Sequence, residues 1–237
     1  MTPDVLEISE CIKELFGSRF QERCICLLGY GSAFNERYDL SSDIDLFVVL
    51  DTAAQGDMDL LGLISSNSRP LLDISLAYKS ELPLSNPELF CDGSKTCLAL
   101  AYLSSATVLL GNNIFKSMFT ALSDEQLKVS ILISVSRYIS KMRNERLNYS
   151  KQGLSYVKKY LARVLIDVMI YYCRSDMSPY KKLKFNEVVR MAQKIPQLTY
   201  FLDDIQKITL SMDFDVALNI MLAVYSRILH DFRRQYS

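Results

Sequence analysis

Leu28-Gly-Tyr-Gly-Ser32, ten further residues, and then Asp43-Ile-Asp-Leu-Phe-Val-Val-Leu50 form the stretch on which the fold of this chain turns. Cys24 to Leu28 is a short apolar run closed by Gly29, the pattern of a buried strand. Asp43 to Leu50 reads as a second strand, rich in Val, Leu and Phe. Side chains alternate along a strand, so Ile44, Leu46, Val48 and Leu50 point into a core while Asp43 and Asp45 share the opposite face. The two carboxylates then lie roughly 6–7 Å apart along the strand. They repel each other unless a cation stands between them. Oxygen-only donors favour a hard ion, so Mg²⁺ or Mn²⁺ is the expected metal.

Leu71-Leu-Asp73-Ile-Ser-Leu76 reads as a third strand that adds a carboxylate, Asp73, with apolar residues on the other face. Three carboxylates can hold two metal ions, one activating an attacking hydroxyl and one gripping a triphosphate. Gly29 and Gly31 flank Tyr30 in a tight turn, and Ser32 follows where a short helix can begin. Glycines let the backbone approach phosphates closely, and N–H groups at a helix start favour anions. The Ser32 hydroxyl can add a donor to a phosphate oxygen. Asp-x-Asp alone is a weak signal and Gly-Ser a weaker one. Their conjunction, with an acid inside a third strand, is demanding.

Outward from this centre, Val5, Ile8, Ile12, Leu15 and Phe16 recur at helical spacing, and Gly17 is placed to end that helix. Asp57 to Ile64 reads as a helix broken at Arg69-Pro70. Helix, strand, loop, strand, helix, strand makes a small α/β (α+β) domain with a mixed sheet. After Pro87 strand signals stop, and segments 95–110, 124–149, 154–174, 181–194 and 197–237 carry helical periodicity. Ser123-Asp-Glu-Gln126 resembles a capping box at the start of the longest. The expected organisation is a catalytic domain over 1–92 and an all-α helical bundle over 93–237, joined by a short connection near 88–95.

The chain of 237 residues is 49% hydrophobic and 23% charged, the balance of an ordinary globular protein. Asp4, Glu7, Glu10 and Glu14 near the N-terminus do not resemble a signal peptide. Thr96 to Leu110, the longest weakly polar stretch, falls short of the roughly 20 residues that span a bilayer. The expectation is a cytoplasmic protein with no membrane partner. Six cysteines show no zinc-like spacing and read as reduced thiols. His230 is the only histidine, which excludes histidine-based triads and multi-histidine metal centres. The zero net charge hides an asymmetry: residues 1–92 carry 16 acidic and 6 basic side chains, a net of −10. Residues 137–190 carry 13 basic and 4 acidic, a net of +9. An acidic part and a basic helical part suit a site for metal and triphosphate.

Gly31-Ser32, Asp43-x-Asp45 and Asp73 resemble the signature of the polymerase-beta-type nucleotidyltransferase superfamily. The resemblance covers about the first ninety residues. It implies nucleotidyl transfer with pyrophosphate release, two metal ions, and Asp43, Asp45 and Asp73 as their ligands and catalytic residues. A weaker resemblance, carried by Tyr138-Ile-Ser-Lys141-Met-Arg-Asn144, is to the aminoglycoside (kanamycin) nucleotidyltransferases, which likewise append a helical domain. It implies that Lys141 contacts the nucleotide phosphates. The glutamate that serves such enzymes as base, four residues earlier, is replaced here by Arg137. Glu145 lies about 12 Å of helical rise from Arg137 and about 80° around the helix, so it does not inherit the role. Asp73 is the alternative proton acceptor. Asn35 stands where the family often has a basic residue, and Arg37 is near enough to substitute.

The leading expectation is transfer of a nucleoside monophosphate, AMP from ATP, to a hydroxyl of a small molecule. Nucleotidylation of a protein or an RNA end is the alternative, and a non-catalytic nucleotide- or partner-binding member is a third reading. The residues do not choose between a monomer and a homodimer.

Overall fold

A computed structural model describes residues 3–31, 33–34, 43–68, 71–85, 87, 90, 96–147, 153–181, 183–202 and 213–236. Four strands pair in the order β3-β2-β1-β4, where β1 is Cys24–Tyr30, β2 Ile44–Leu50, β3 Leu72–Tyr78 and β4 Thr107–Gly111. β1 runs antiparallel to β2 and to β4, and β2 runs parallel to β3. The sheet is therefore mixed, as the sequence predicts. A parallel pair needs a crossover, and helix α2 (Asp57–Asn67) supplies it between β2 and β3.

Ile44, Leu46, Val48 and Leu50 are fully buried in one cluster with Ile12, Phe16 and Phe20 of helix α1 (Pro3–Phe20) and with Leu61 and Ile64 of α2. Each such side chain contributes about 1.5–3 kcal/mol on leaving water. The other sheet face holds Leu28, Phe47 and Val49. The Phe47 ring meets Phe115 edge-on at 5.2 Å between centroids, and Phe90 meets Phe115 at 5.6 Å.

Two local expectations are corrected. The first helix does not stop at Gly17 but runs to Phe20. Phe20 stacks on Phe16 at 5.4 Å and is 1% exposed, and that burial outweighs the roughly 1 kcal/mol that a helical glycine costs. The helical pattern over 95–110 resolves instead into a 3₁₀ turn at Thr96–Leu98, a short helix α3 (Ala99–Leu103) and strand β4. Pairing with β1 decides the matter: Leu27 faces Leu110, and Gly111, at φ 70°, lies against the Ile25 carbonyl where a Cβ has no room.

The chain divides into two compact units, residues 1–91 with 99–122 and residues 92–98 with 123–237. The first also holds α4 (Phe115–Ala121). The second contains α5 (Asp124–Leu147), α6 (Gly153–Cys173), α7 (Phe185–Ala192), α8 (Pro196–Leu202) and α9 (Phe214–Tyr236). The capping box expected at Ser123 is present: the Gln126 N–H donates to Ser123 Oγ at 3.3 Å, and the Ser123 N–H donates to Gln126 Oε1 at 3.3 Å. Tyr236 donates from its hydroxyl to Asp124 at 2.7 Å, and Lys128 donates to Gln235 at 2.8 Å, so α9 runs antiparallel to α5. Tyr160 and Tyr171 are buried, and the Tyr172 hydroxyl donates to Asp231 at 2.7 Å, which makes these tyrosines part of the unit's own packing. The Tyr156 side chain, and residues 88–89 and 91–95 of the expected connection, lie outside the described residues. Among the described residues no helix is long and apolar enough to cross a membrane.

Candidate functional site

The site forms where β1 ends and β2 begins. Tyr30 of β1, Asp45 of β2 and Asp73 of β3 are register partners across three adjacent strands, so their side chains share one sheet face. Neighbouring strands are about 4.8 Å apart, which brings the Asp45 and Asp73 backbones to that separation. Asp43, immediately before β2, stands one alternation earlier on the same face. Asp45 is half-buried, whereas Asp43 and Asp73 are exposed. On the core side of the same strands Ile44 and Leu46 are completely buried, which locks the register that turns the aspartates outward.

Gly31 closes β1 with φ 74°. A Cβ on Gly31 would stand 1.7 Å from Asp45 Oδ2, far inside contact distance. The residue is glycine for two reasons: the left-handed backbone and the space the carboxylate occupies. Gly29 plays a related part on the core side, where a Cβ would meet the Phe34 ring. Ala33 and Phe34 are 1% and 6% exposed, so the turn after Gly31 is pinned into the same core as β2. Ser32 lies outside the described residues, as do Asn35 and Arg37.

The structure therefore brings Gly31, Asp43, Asp45 and Asp73 to one end of one sheet face. Lys141 belongs to the second unit, exposed on α5 with its Nζ 5.9 Å from the Tyr138 ring centroid. Arg137 is exposed one turn earlier on that helix, and the Glu145 side chain lies outside the described residues. Tyr30 was not singled out from the sequence. Its alternation with Leu28 in β1 is the signal that places it beside Asp45.

Among the described residues no three His, Cys, Asp or Glu side chains form a ready metal cage. The donor set is instead open: two carboxylates in register and a third one alternation away. Such a set fits Mg²⁺, which keeps several waters and binds through one or two carboxylates plus substrate phosphates. Like charges facing each other across a strand pair are otherwise destabilising.

The acids at the opposite end of the same strands are engaged differently. Asp57 is 4% exposed and receives two hydrogen bonds from Arg23, at 2.8 and 3.0 Å, and one from the Ala54 N–H at 2.9 Å. The Arg23 hydrogen bonds hold its carboxyl below the ordinary value. Asp51 pairs with Lys79 at 3.0 Å. On β1 burial raises the Cys26 thiol to about 12 and the Cys24 thiol to about 11, which keeps both protonated and unreactive.

No protein-family model matches the sequence, and no curated protein matches it. Among solved structures, the chain resembles a spectinomycin adenyltransferase, AAD(9), from Enterococcus faecialis, solved with ATP and spectinomycin. The TM-score is 0.53 at 11% identity, over 94% of this chain and 99% of that one. A nucleotidyltransferase-like protein from Exiguobacterium sibiricum 255-15 aligns with a TM-score of 0.32 at 10% identity, over 96% of this chain and 75% of that one. With the first match spanning nearly the whole of both chains, the fold of this protein, a small mixed sheet with helices followed by a helical region, is similar to that of AAD(9).

Proposed function

We propose that the protein is a Mg²⁺-dependent nucleotidyltransferase that moves AMP from ATP to a hydroxyl of a small molecule and releases pyrophosphate. The observation that carries the reading is the register Asp45↔Asp73 with Gly31 seated against the Asp45 carboxylate. Asp43, Asp45 and Asp73 would hold two Mg²⁺ ions, which would supply neutralisation of the triphosphate and of the developing charge. The acceptor oxygen attacks the α-phosphorus, the bond to the bridging α–β oxygen breaks, and pyrophosphate leaves. Asp73, exposed on the edge strand, takes the acceptor proton. Gly31 and Ser32 hold the phosphates by close backbone approach, and Lys141 adds a cation to them. Such transfers need chiefly positioning and charge neutralisation, which carboxylates and a glycine turn supply without histidine.

The small-molecule acceptor is supported by AAD(9), solved with ATP and spectinomycin. The net charge of +9 over residues 137–190 argues against a polycationic acceptor. Incubation with each α-labelled nucleoside triphosphate, Mg²⁺ and size-fractionated lysate tests the reading. Label in small molecules with stoichiometric pyrophosphate supports it, and label in protein or RNA selects the macromolecular alternative. Absence of transfer with every donor and fraction selects a non-catalytic binding protein. Transfer that survived Asp43→Asn with Asp45→Asn would show that the metal ligands are misassigned.

A further inference from the structure

Helices α5 and α9 of the second unit enclose an apolar cleft bounded by two arginines. Val129 and Ile133 of α5 and Leu229 and Phe232 of α9 form its walls, and Arg137 and Arg233 line it with them. The cleft holds about 450 Å³, within the roughly 300–1,000 Å³ of small-molecule sites. Lys128 donates to Gln235, so in this antiparallel pair Val129 stands near the level of Arg233 and Ile133 near that of Leu229. Arg137 lies two turns beyond Val129, about 12 Å of helical rise. Each helix thus contributes one cation, and the apolar middle lies between them.

The charges along this lining are of one sign. Among the described residues no acidic side chain lines the cleft. Glu125 on α5 and Asp231 on α9 are outside it, and Asp231 is already held by Arg227 at 3.1 Å and by the Tyr172 hydroxyl at 2.7 Å. Neither Arg137 nor Arg233 pairs with an acid among the described residues. Val129 and Ile133 remain 37% and 40% exposed, so apolar surface is left to cover. A guanidinium beside apolar walls meets less water than one on an open surface, and its pull on an anion is stronger there. A neutral apolar molecule would cover the walls and leave both guanidiniums unanswered, and a polycation would be repelled. An apolar molecule with an acidic group answers both features.

We propose that this cleft binds a small organic anion, an apolar body lying on Val129, Ile133, Leu229 and Phe232 with a carboxylate, phosphate or sulfonate drawn by Arg137 and Arg233. The site is independent of the catalytic reading and would stand if that reading failed. Because the sequence resemblance sets residue 137 where related enzymes keep a base for the acceptor, such an anion has two sources: an acceptor of the proposed transfer, or a ligand that does not react.

The probes are anilinonaphthalene sulfonate and phenylnaphthylamine, which share an apolar body and differ by the sulfonate. Fluorescence titration of the full chain without nucleotide should give one site that takes the sulfonate at least about tenfold more tightly. Arg137→Gln and Arg233→Gln should each weaken sulfonate binding about threefold, and together at least about tenfold. Arg233→Lys, which keeps the charge, should lose less. Phenylnaphthylamine binding should be unchanged in all of these, which is the folding control because it needs the same walls. Ile133→Glu should weaken both probes. Equal affinity for the two probes, or sulfonate binding unchanged by the double arginine variant, overturns the proposal. So does the absence of saturable sulfonate binding below about 1 mM. An ω-hydroxydodecanoate, with an apolar body, a carboxylate and a hydroxyl, should displace the sulfonate and separates the sources. Label carried into it from α-labelled ATP with Mg²⁺ identifies an acceptor site, and displacement without label identifies a site for a non-reacting anion. The binding titrations contain no nucleotide, so they succeed or fail apart from the transferase reading.

Discussion

Replacing Gly31 by alanine probes the site most directly, because two separable costs meet there. Its φ of 74° is a left-handed conformation that costs a residue with a Cβ about 1–2 kcal/mol. The added Cβ would also stand 1.7 Å from Asp45 Oδ2, so the carboxylate or the turn must shift. Overpacking of this kind costs about 1–3 kcal/mol. Gly56 provides the control: φ is 88° there, and an added Cβ meets nothing within 4 Å. Urea denaturation should therefore show a loss of about 1–2 kcal/mol for Gly56→Ala and about 2–5 kcal/mol for Gly31→Ala. Asp45→Ala in the Gly31→Ala background removes the obstructing carboxylate, so the double variant should regain about 1–3 kcal/mol relative to the sum of the singles. In the transfer assay, moving Asp45 by about 1 Å should lower kcat/KM about 100-fold, whereas Gly56→Ala stays near wild type. If Gly31→Ala cost no more than Gly56→Ala and were additive with Asp45→Ala, Gly31 would not be in contact with Asp45 and the site geometry would be refuted.

Asp45→Asn and Asp73→Asn should each abolish transfer without lowering the thermal midpoint, since each removes one of two like charges facing across β2 and β3. Calorimetry beside a pyrophosphate-release assay checks this, and a large drop in midpoint would make the carboxylates structural. Because Arg23 holds the Asp57 carboxyl below its ordinary value, its stabilising contribution is complete above about pH 4 and is lost as pH falls through the lower folded value. Urea midpoints measured from about pH 2 to pH 7 should show a shallower acid decline in Asp57→Asn, and an unchanged decline would deny the linkage. Gly17→Ala should stabilise the protein by about 0.5–1 kcal/mol, because Gly17 is inside α1 and an added Cβ meets nothing within 4 Å. Equal or lower stability on chemical denaturation would contradict that placement.

The part of the fold that was legible in the sequence is the part with a strong apolar signal. Leu46 to Leu50 is an unbroken apolar run behind Asp43 and Asp45, and β2 lies where that run puts it, buried on both faces beyond Asp45. The register Asp45↔Asp73 was not legible, since a strand pattern carries no information about which residue of its neighbour it meets. That pairing follows from the crossover through α2 and from core burial of Ile44 beside Leu72. β4 was missed because five residues at a sheet margin give too short a period to outweigh the apolar helical pattern before them. Gly31 was chosen from the sequence for its closeness to phosphates. Its contact with Asp45 is a tertiary fact that links two segments separated by the stretch 35–42.

The acidic first part of the chain, of net −10, also contains acids that the motif does not account for. At the end of the strands where β2 stops, Asp51 is matched with Lys79 and Asp57 is locked by Arg23, which also donates to the Thr52 carbonyl at 3.1 Å and so ties β1 to the start of α2. Tyr78 adds its hydroxyl to Asp57 at 3.4 Å. A carboxylate so enclosed has its lone pairs committed and cannot accept a cation without breaking the sheet's own clamp. At the other end, Asp43 and Asp73 are exposed beside half-buried Asp45, on strands paired with each other and packed into the core by their opposite face. If the sheet binds Mg²⁺ as proposed, the end with Asp43, Asp45 and Asp73 would take it on strands that the core already holds in register.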